Sequence, residues 1–136
     1  MTMKTITSTE TGHVKQLIKT EDEDAYIDTK IIPLVKWINT LPNCHTVFSC
    51  EGDITPQKNG NINLPYIMLK TNNKIIKNIK LLLKNFSKNN PKKDMYLSEN
   101  MSIKNGKSIT YYHFSFSDQK TMIKFTKYCK SCYINK

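Results

Sequence analysis

Apolar residues recur at helical spacing in three stretches of the chain. In the first, Ile31, Leu34, Val35, Trp37, Ile38 and Leu41 form a stripe that ends at Leu41-Pro42-Asn43. Asp28 or Thr29 suits the cap of this helix, and Pro33 falls early in it, where its missing N–H costs least. In the second, residues 73–87, Ile75, Ile79, Leu82, Leu83 and Phe86 share one side. Lys74, Lys77, Lys80, Lys84 and Lys88 share the opposite side. The third starts near Ser117 or Asp118. It turns Met122, Phe125, Cys129, Cys132 and Tyr133 inward and Lys120, Lys124 and Lys127 outward.

Between these helices the pattern shortens to strands. Thr46–Cys50 and Leu64–Lys70 are compact apolar runs and read as an antiparallel pair. Asn105-Gly106 is a strong signal for a type I′ hairpin turn. Pairing across it sets Met101 opposite Thr110, Glu99 opposite Tyr112, Leu97 opposite Phe114 and Met95 opposite Phe116. That face is mostly apolar and belongs to the core, with Glu99 as an anomaly that needs a bulge or a partner. The other face pairs Asn100 with Tyr111, Ser98 with His113, and Tyr96 with Ser115.

These elements predict an α+β fold in the order α-β-β-α-β-β-α, with a mixed or mostly antiparallel sheet and helices on one face. His13–Ile18 reads as a further short strand, and Glu21-Asp22-Glu23-Asp24 as a solvated loop. Residues 1–12 read as a flexible N-terminal tail and 13–136 as a single domain. The polar loop of residues 53–63 is long enough to act as a flap.

Composition narrows the classes. A chain of 136 residues buries roughly two thirds of its unfolded surface, so it needs neither disulfide nor metal to fold. No apolar run approaches the ~20 residues of a membrane span, and the N-terminus lacks the apolar core of a signal peptide. A soluble, cytoplasmic protein without a membrane partner is expected.

The net charge is +10, carried by 21 basic residues that are all lysine. One reading is attraction to phosphate. The other is codon bias, because Lys, Asn and Ile are favoured in AT-rich genomes such as those of some phages and low-GC bacteria. Arginine is the preferred residue for bidentate phosphate and guanine contacts, so its absence argues against sequence-specific DNA reading.

The four cysteines are Cys44, Cys50, Cys129 and Cys132. They are reduced by default in a cytoplasmic protein. Cys129-x-x-Cys132 has a spacing found in zinc and redox sites. It falls in a Lys-rich helical pattern, so buried thiols are favoured, and neither metal nor cofactor is expected.

The candidate chemistry gathers where the strand Thr46–Cys50 breaks at Glu51-Gly52-Asp53. Ser49 and Cys50 bring a hydroxyl and a thiol to one sheet edge, and Gly52 can adopt positive φ and present neighbouring N–H groups. Lys58 on the flap and Lys70 at a strand end add charge beside Glu51. The helix face of Lys77, Lys80 and Lys84 adds a track for phosphate or nucleic acid. Tyr66, Tyr111 and His113 offer surfaces for stacking a base, and Tyr96 and Ser98 extend the same uncharged face. A nucleophilic reading takes Ser49 or Cys50 with His45 or His113 as base. No G-x-S-x-G elbow, H-E-x-x-H or phosphate-cradling loop supports it. Glu51 and Asp53, two acids flanking a turn glycine, read as solvated.

Trp37-Ile38-Asn39-x-Leu41-Pro42, then Thr46-Val47-Phe48-Ser49-Cys50-Glu51-Gly52, then Pro65-Tyr66-Ile67, resembles small phage and bacterial proteins built around a T-x-x-S-C-x-G motif. Ser49, Cys50 and Gly52, with the element order over 33–133, also resemble the wybutosine-synthesis tRNA methyltransferase family. Glu51 stands where that family has a second serine, and no arginine follows the glycine. The resemblance implies a similar α+β sheet with a site near Ser49–Gly52.

The leading reading is therefore a non-catalytic binder of a nucleotide-like or nucleic-acid ligand. One form of it is a phage accessory protein that sequesters a host nucleotide immune signal in the host cytoplasm. Two alternatives stand beside it. One is an RNA-modifying enzyme that uses S-adenosylmethionine, as the family resemblance implies. The other is a protein–protein inhibitor that presents the Tyr111/His113 face to a protein partner. Self-association into a homo-oligomer is compatible with each.

Overall fold

The structure is a computed structural model that describes residues 5–7, 13–19, 24–55 and 60–132. The described residues form an α+β fold with two antiparallel sheets and three helices. The chain opens with three strands, β1 (Thr5–Thr7), β2 (Val14–Lys19) and β3 (Asp24–Asp28), paired in that order. A single 3-10 turn, Thr29–Ile31, leads into α1 (Ile32–Asn39). Next come β4 (His45–Cys50), β5 (Tyr66–Lys70), α2 (Asn73–Asn89), β6 (Met95–Lys104), β7 (Lys107–Phe116) and α3 (Gln119–Cys132).

The second sheet has the order β4-β5-β7-β6, so β4 and β6 are its edges. Its hairpin closes at Asn105 and Gly106, both at positive φ, as a type I′ turn requires. The register carries every predicted pair, from Met95–Phe116 to Met101–Thr110. The leading strands extend the predicted element order. Thr5–Thr7, expected in the tail, forms β1, and Asp24, expected in the acidic loop, opens β3. Glu21, Glu23 and Lys58 lie outside the described residues.

Alternation decides which face of the second sheet is covered. Ile67 and Leu69 on β5, and Tyr112, Phe114 and Phe116 on β7, are buried. They join one cluster with Leu34, Val35 and Ile38 of α1, Ile75, Ile79 and Phe86 of α2, and Met122, Phe125 and Cys129 of α3. All three helices therefore pack on one side of this sheet. The intervening residues Tyr66, Met68, Tyr111, His113 and Ser115 are half-buried on the other side. Among the described residues no helix is long and apolar enough to cross a membrane.

The helix ends follow local chemistry. Asn72 caps α2, its Oδ1 accepting from the Ile75 N–H at 2.9 Å. Asp118 does the same for α3, accepting from the Thr121 N–H and hydroxyl, each at 2.7 Å. Glu99 is exposed at the β6 edge and reaches Lys80 of α2 at 3.1 Å, which accounts for a carboxylate on the helix side. Asp28 is no cap, because its carboxylate is drawn into a different network.

Candidate functional site

The Glu51-Gly52-Asp53 turn follows directly on β4 and is gripped from several elements. His13, just ahead of β2, is hydrogen-bonded through Nδ1 to Asp28 Oδ2 at 2.9 Å and through Nε2 to Asp53 Oδ1 at 2.8 Å. The same Asp28 Oδ2 accepts the Glu51 N–H at 2.9 Å, while Asp28 Oδ1 faces the Lys15 ammonium at 2.8 Å. Glu51 Oε1 accepts the Lys30 N–H at 3.2 Å. Gln119 of α3 donates to the Gly52 carbonyl at 3.1 Å, and its own oxygen accepts from Lys30 Nζ at 3.4 Å.

Burial works against an ionised Asp28. The Lys15 ammonium, the Glu51 N–H and His13 outweigh it and hold the carboxyl below its ordinary range. Gly52 is fixed by geometry. Its φ is +78°, and a Cβ there would lie 2.6 Å from Pro65 N and Cδ. The flap closes at its root: the Asp53 N–H donates to the Asn63 carbonyl at 2.9 Å, and Asp53 Oδ2 accepts the Asn63 N–H at 2.9 Å.

The expectation of solvated acids at this turn is thus overturned. Glu51 is 4% exposed and the Asp53 side chain 5% exposed, both engaged within the protein. The N–H groups that Gly52 was expected to present are also engaged. That of Glu51 goes to Asp28, and that of Gly52 goes to Cys50 Sγ at 3.4 Å.

Ser49 and Cys50 share an edge strand but separate across it. Ser49 pairs with Ile67 on the helix side, whereas Cys50 pairs with Tyr66 on the open side. Burial pushes the Cys50 thiol upward, the Gly52 N–H draws it partly back, and Asp28 and Asp53 raise it further. Such a thiol stays protonated at neutral pH and is a poor nucleophile.

The open face continues from Cys50 across the sheet. Tyr66 pairs with Ser115, and its ring stacks on His113, with centroids 5.1 Å and planes 22° apart. His113 pairs in turn with Ser98, Tyr111 with Asn100, and Ser115 with Tyr96. Lys70 lies on the same face by alternation, opposite His45. Burial raises the Tyr66 hydroxyl, Cys50 and Asp28 add to that, and Lys15 opposes it. Tyr66 therefore lies within the electrostatic reach of the His13–Asp28 network. The turn and the hairpin face, predicted separately, meet at Cys50 and Tyr66.

The helix lysines stand apart from this face. Lys77, Lys80 and Lys84 are exposed on α2. Lys80 and Lys84, with Tyr96, Met95 and Leu97, line a cavity of about 230 Å³ at the β6 edge. A larger cavity of about 780 Å³ lies between the end of α1 and the start of α2, lined by Trp37, Leu41, Asn43, Asn72, Lys74 and Lys130 among others. It contains none of the predicted site residues. Cys129 is buried and Cys132 exposed on α3, and burial pushes the Cys129 thiol strongly up.

His13, Asp28, Lys15 and Gln119 were not among the predicted site residues. Their partners lie 13 to 89 positions away, so no spacing motif announces them. The one available signal was a pair of acids, Glu51 and Asp53, beside a turn glycine in an otherwise basic chain. No protein-family model, curated protein or solved structure matches this chain.

Proposed function

We propose that the open face of the second sheet binds a nucleotide-like ligand without transforming it. The observation that carries this reading is the Tyr66–His113 stack at the centre of a polar and aromatic face. Every nucleobase has a π-face that such a platform can engage, and alanine substitution at a stacking position costs roughly 1–3 kcal/mol per base. Lys70, on the same face by alternation, supplies charge for a phosphate at the far end of β5 from Tyr66.

Burial and the nearby Asp28 and Asp53 carboxylates disfavour a free Cys50 thiolate, which favours binding over nucleophilic chemistry. A concrete form of this function is a phage-encoded protein that sequesters a host nucleotide signal in the host cytoplasm. The lysine-only basic set and the abundance of Lys, Asn and Ile, residues favoured in AT-rich genomes, support that form.

The test is titration of labelled linear and cyclic nucleotides, and of an RNA, into three proteins. These are the native chain, Tyr66→Ala, and a Lys77/Lys80/Lys84→Glu triple variant. Nucleotide affinity falls in Tyr66→Ala and stays unaltered in the triple variant if the sheet face is the site. The reverse pattern moves the site to α2. Binding of S-adenosylmethionine with methyl transfer to RNA would replace this reading with the enzymatic one.

A further inference from the structure

The grip on the Glu51–Asp53 turn has the composition of a metal site. One donor atom from each of His13, Asp28 and Cys50 lies within 4.8 Å of the other two. Donors around a tetrahedral zinc ion, each about 2.0–2.3 Å from it, stand roughly 3.5 Å apart. Side-chain adjustments on the order of an ångström would close the set. Imidazole, thiolate and carboxylate together are a donor set that suits zinc.

The surroundings complete the argument. In zinc proteins a ligating imidazole donates its other N–H to a carboxylate, which fixes its tautomer and orientation. His13 Nε2 donates to Asp53 Oδ1 at 2.8 Å, and Asp53 Oδ2 is itself held by the Asn63 N–H at 2.9 Å. This leaves Nδ1 as the ligand atom, 2.9 Å from Asp28 Oδ2. Asp28 is held from outside by Lys15 and the Glu51 N–H. The Gly52 N–H points at Cys50 Sγ from 3.4 Å, the contact that stabilises a thiolate. Each donor thus has an orienting partner, drawn from β2 and the turn after β4.

We propose that His13 Nδ1, Asp28 Oδ2 and Cys50 Sγ bind one zinc ion, with Asp53 as the residue that positions His13. Binding displaces the Sγ proton, and the ion takes lone pairs from Nδ1, Oδ2 and Sγ. The zinc charge is then balanced by one thiolate and one carboxylate. Three protein donors leave a fourth position to water.

The experiment is zinc content of the full chain after refolding with zinc, with cobalt substituted as a spectroscopic probe. One equivalent per chain is expected, and the cobalt form shows a thiolate-to-cobalt charge-transfer band. Cys50→Ala abolishes the band, Cys132→Ser retains it, and Asp53→Asn weakens zinc binding about 10- to 100-fold. Cys50 is half-buried on an edge strand, so its truncation tests binding in a folded chain, and circular dichroism checks this. The native-chain spectrum needs no variant at all. Absence of metal, or a band that survives Cys50→Ala or is lost in Cys132→Ser, overturns the proposal.

Discussion

Two regions meet at Cys50 and are built in opposite ways. Around the Glu51–Asp53 turn the polar groups are buried and turned on one another, with His13 held between two carboxylates. Across the open sheet face the polar and aromatic groups are half-exposed, with Tyr66 and His113 stacked and facing outward. The first arrangement spends its hydrogen bonds on holding a turn. The second leaves ring surface available to something else. A histidine, a tyrosine and a serine can appear in either, and burial together with partnering distinguishes them.

The largest effect separates the regions by stability. Asp28→Ala removes the common partner of His13, Lys15 and the Glu51 N–H, leaving buried groups uncompensated. A loss of about 3–5 kcal/mol is expected in urea unfolding. A loss below 1 kcal/mol would place the clamp among ordinary surface contacts. Gly52→Ala comes next. It combines a left-handed backbone with a clash on Pro65, for about 2–4 kcal/mol by the same measurement.

On the other side of the comparison, Tyr66→Ala costs about 1 kcal/mol of stability through the lost stack on His113. Its effect on nucleotide affinity is larger, roughly 10- to 100-fold. A variant that loses stability and affinity in the opposite proportion would merge the two regions into one structural unit.

The smallest effect calibrates the clamp against an exposed carboxylate. Asp118 is held below its ordinary value by the Thr121 hydroxyl and N–H. Its folded value is depressed, so its contribution is present above the unfolded value near 3.8 and is lost as pH falls through the folded one. Asp118→Ala removes about 1 kcal/mol at neutral pH. The difference between variant and native chain shrinks in acid-titrated melts. A difference that grows with acid would contradict the assignment as a cap.

Much of the second sheet was legible because its information is local. Asn105-Gly106 fixes the turn, the turn fixes the register, and alternation assigns each hairpin residue to a face. The open-face residues Tyr96, Ser98, Tyr111 and His113 followed from that logic alone. The clamp was not legible, because its hydrogen bonds join the residue before β2, the end of β3, the 3-10 turn, the turn after β4 and α3 across long separations. Asp28 looked like a helix cap because its neighbours start a helix. Only the tertiary arrangement shows that its carboxylate faces His13. Ser49 and Cys50 looked like one site because they are adjacent, yet strand alternation puts them on opposite faces.

The most direct measurement is a thermal-shift screen of the native chain and a Tyr66→Ala/Tyr111→Ala double variant against linear and cyclic nucleotides, S-adenosylmethionine and tRNA. A ligand at a thousandfold excess over Kd stabilises by about 4 kcal/mol. The account predicts a shift with at least one nucleotide in the native chain and none in the double variant, whose own melting point moves by only a few degrees. A shift retained in the double variant, or none with any nucleotide in the native chain, would contradict it.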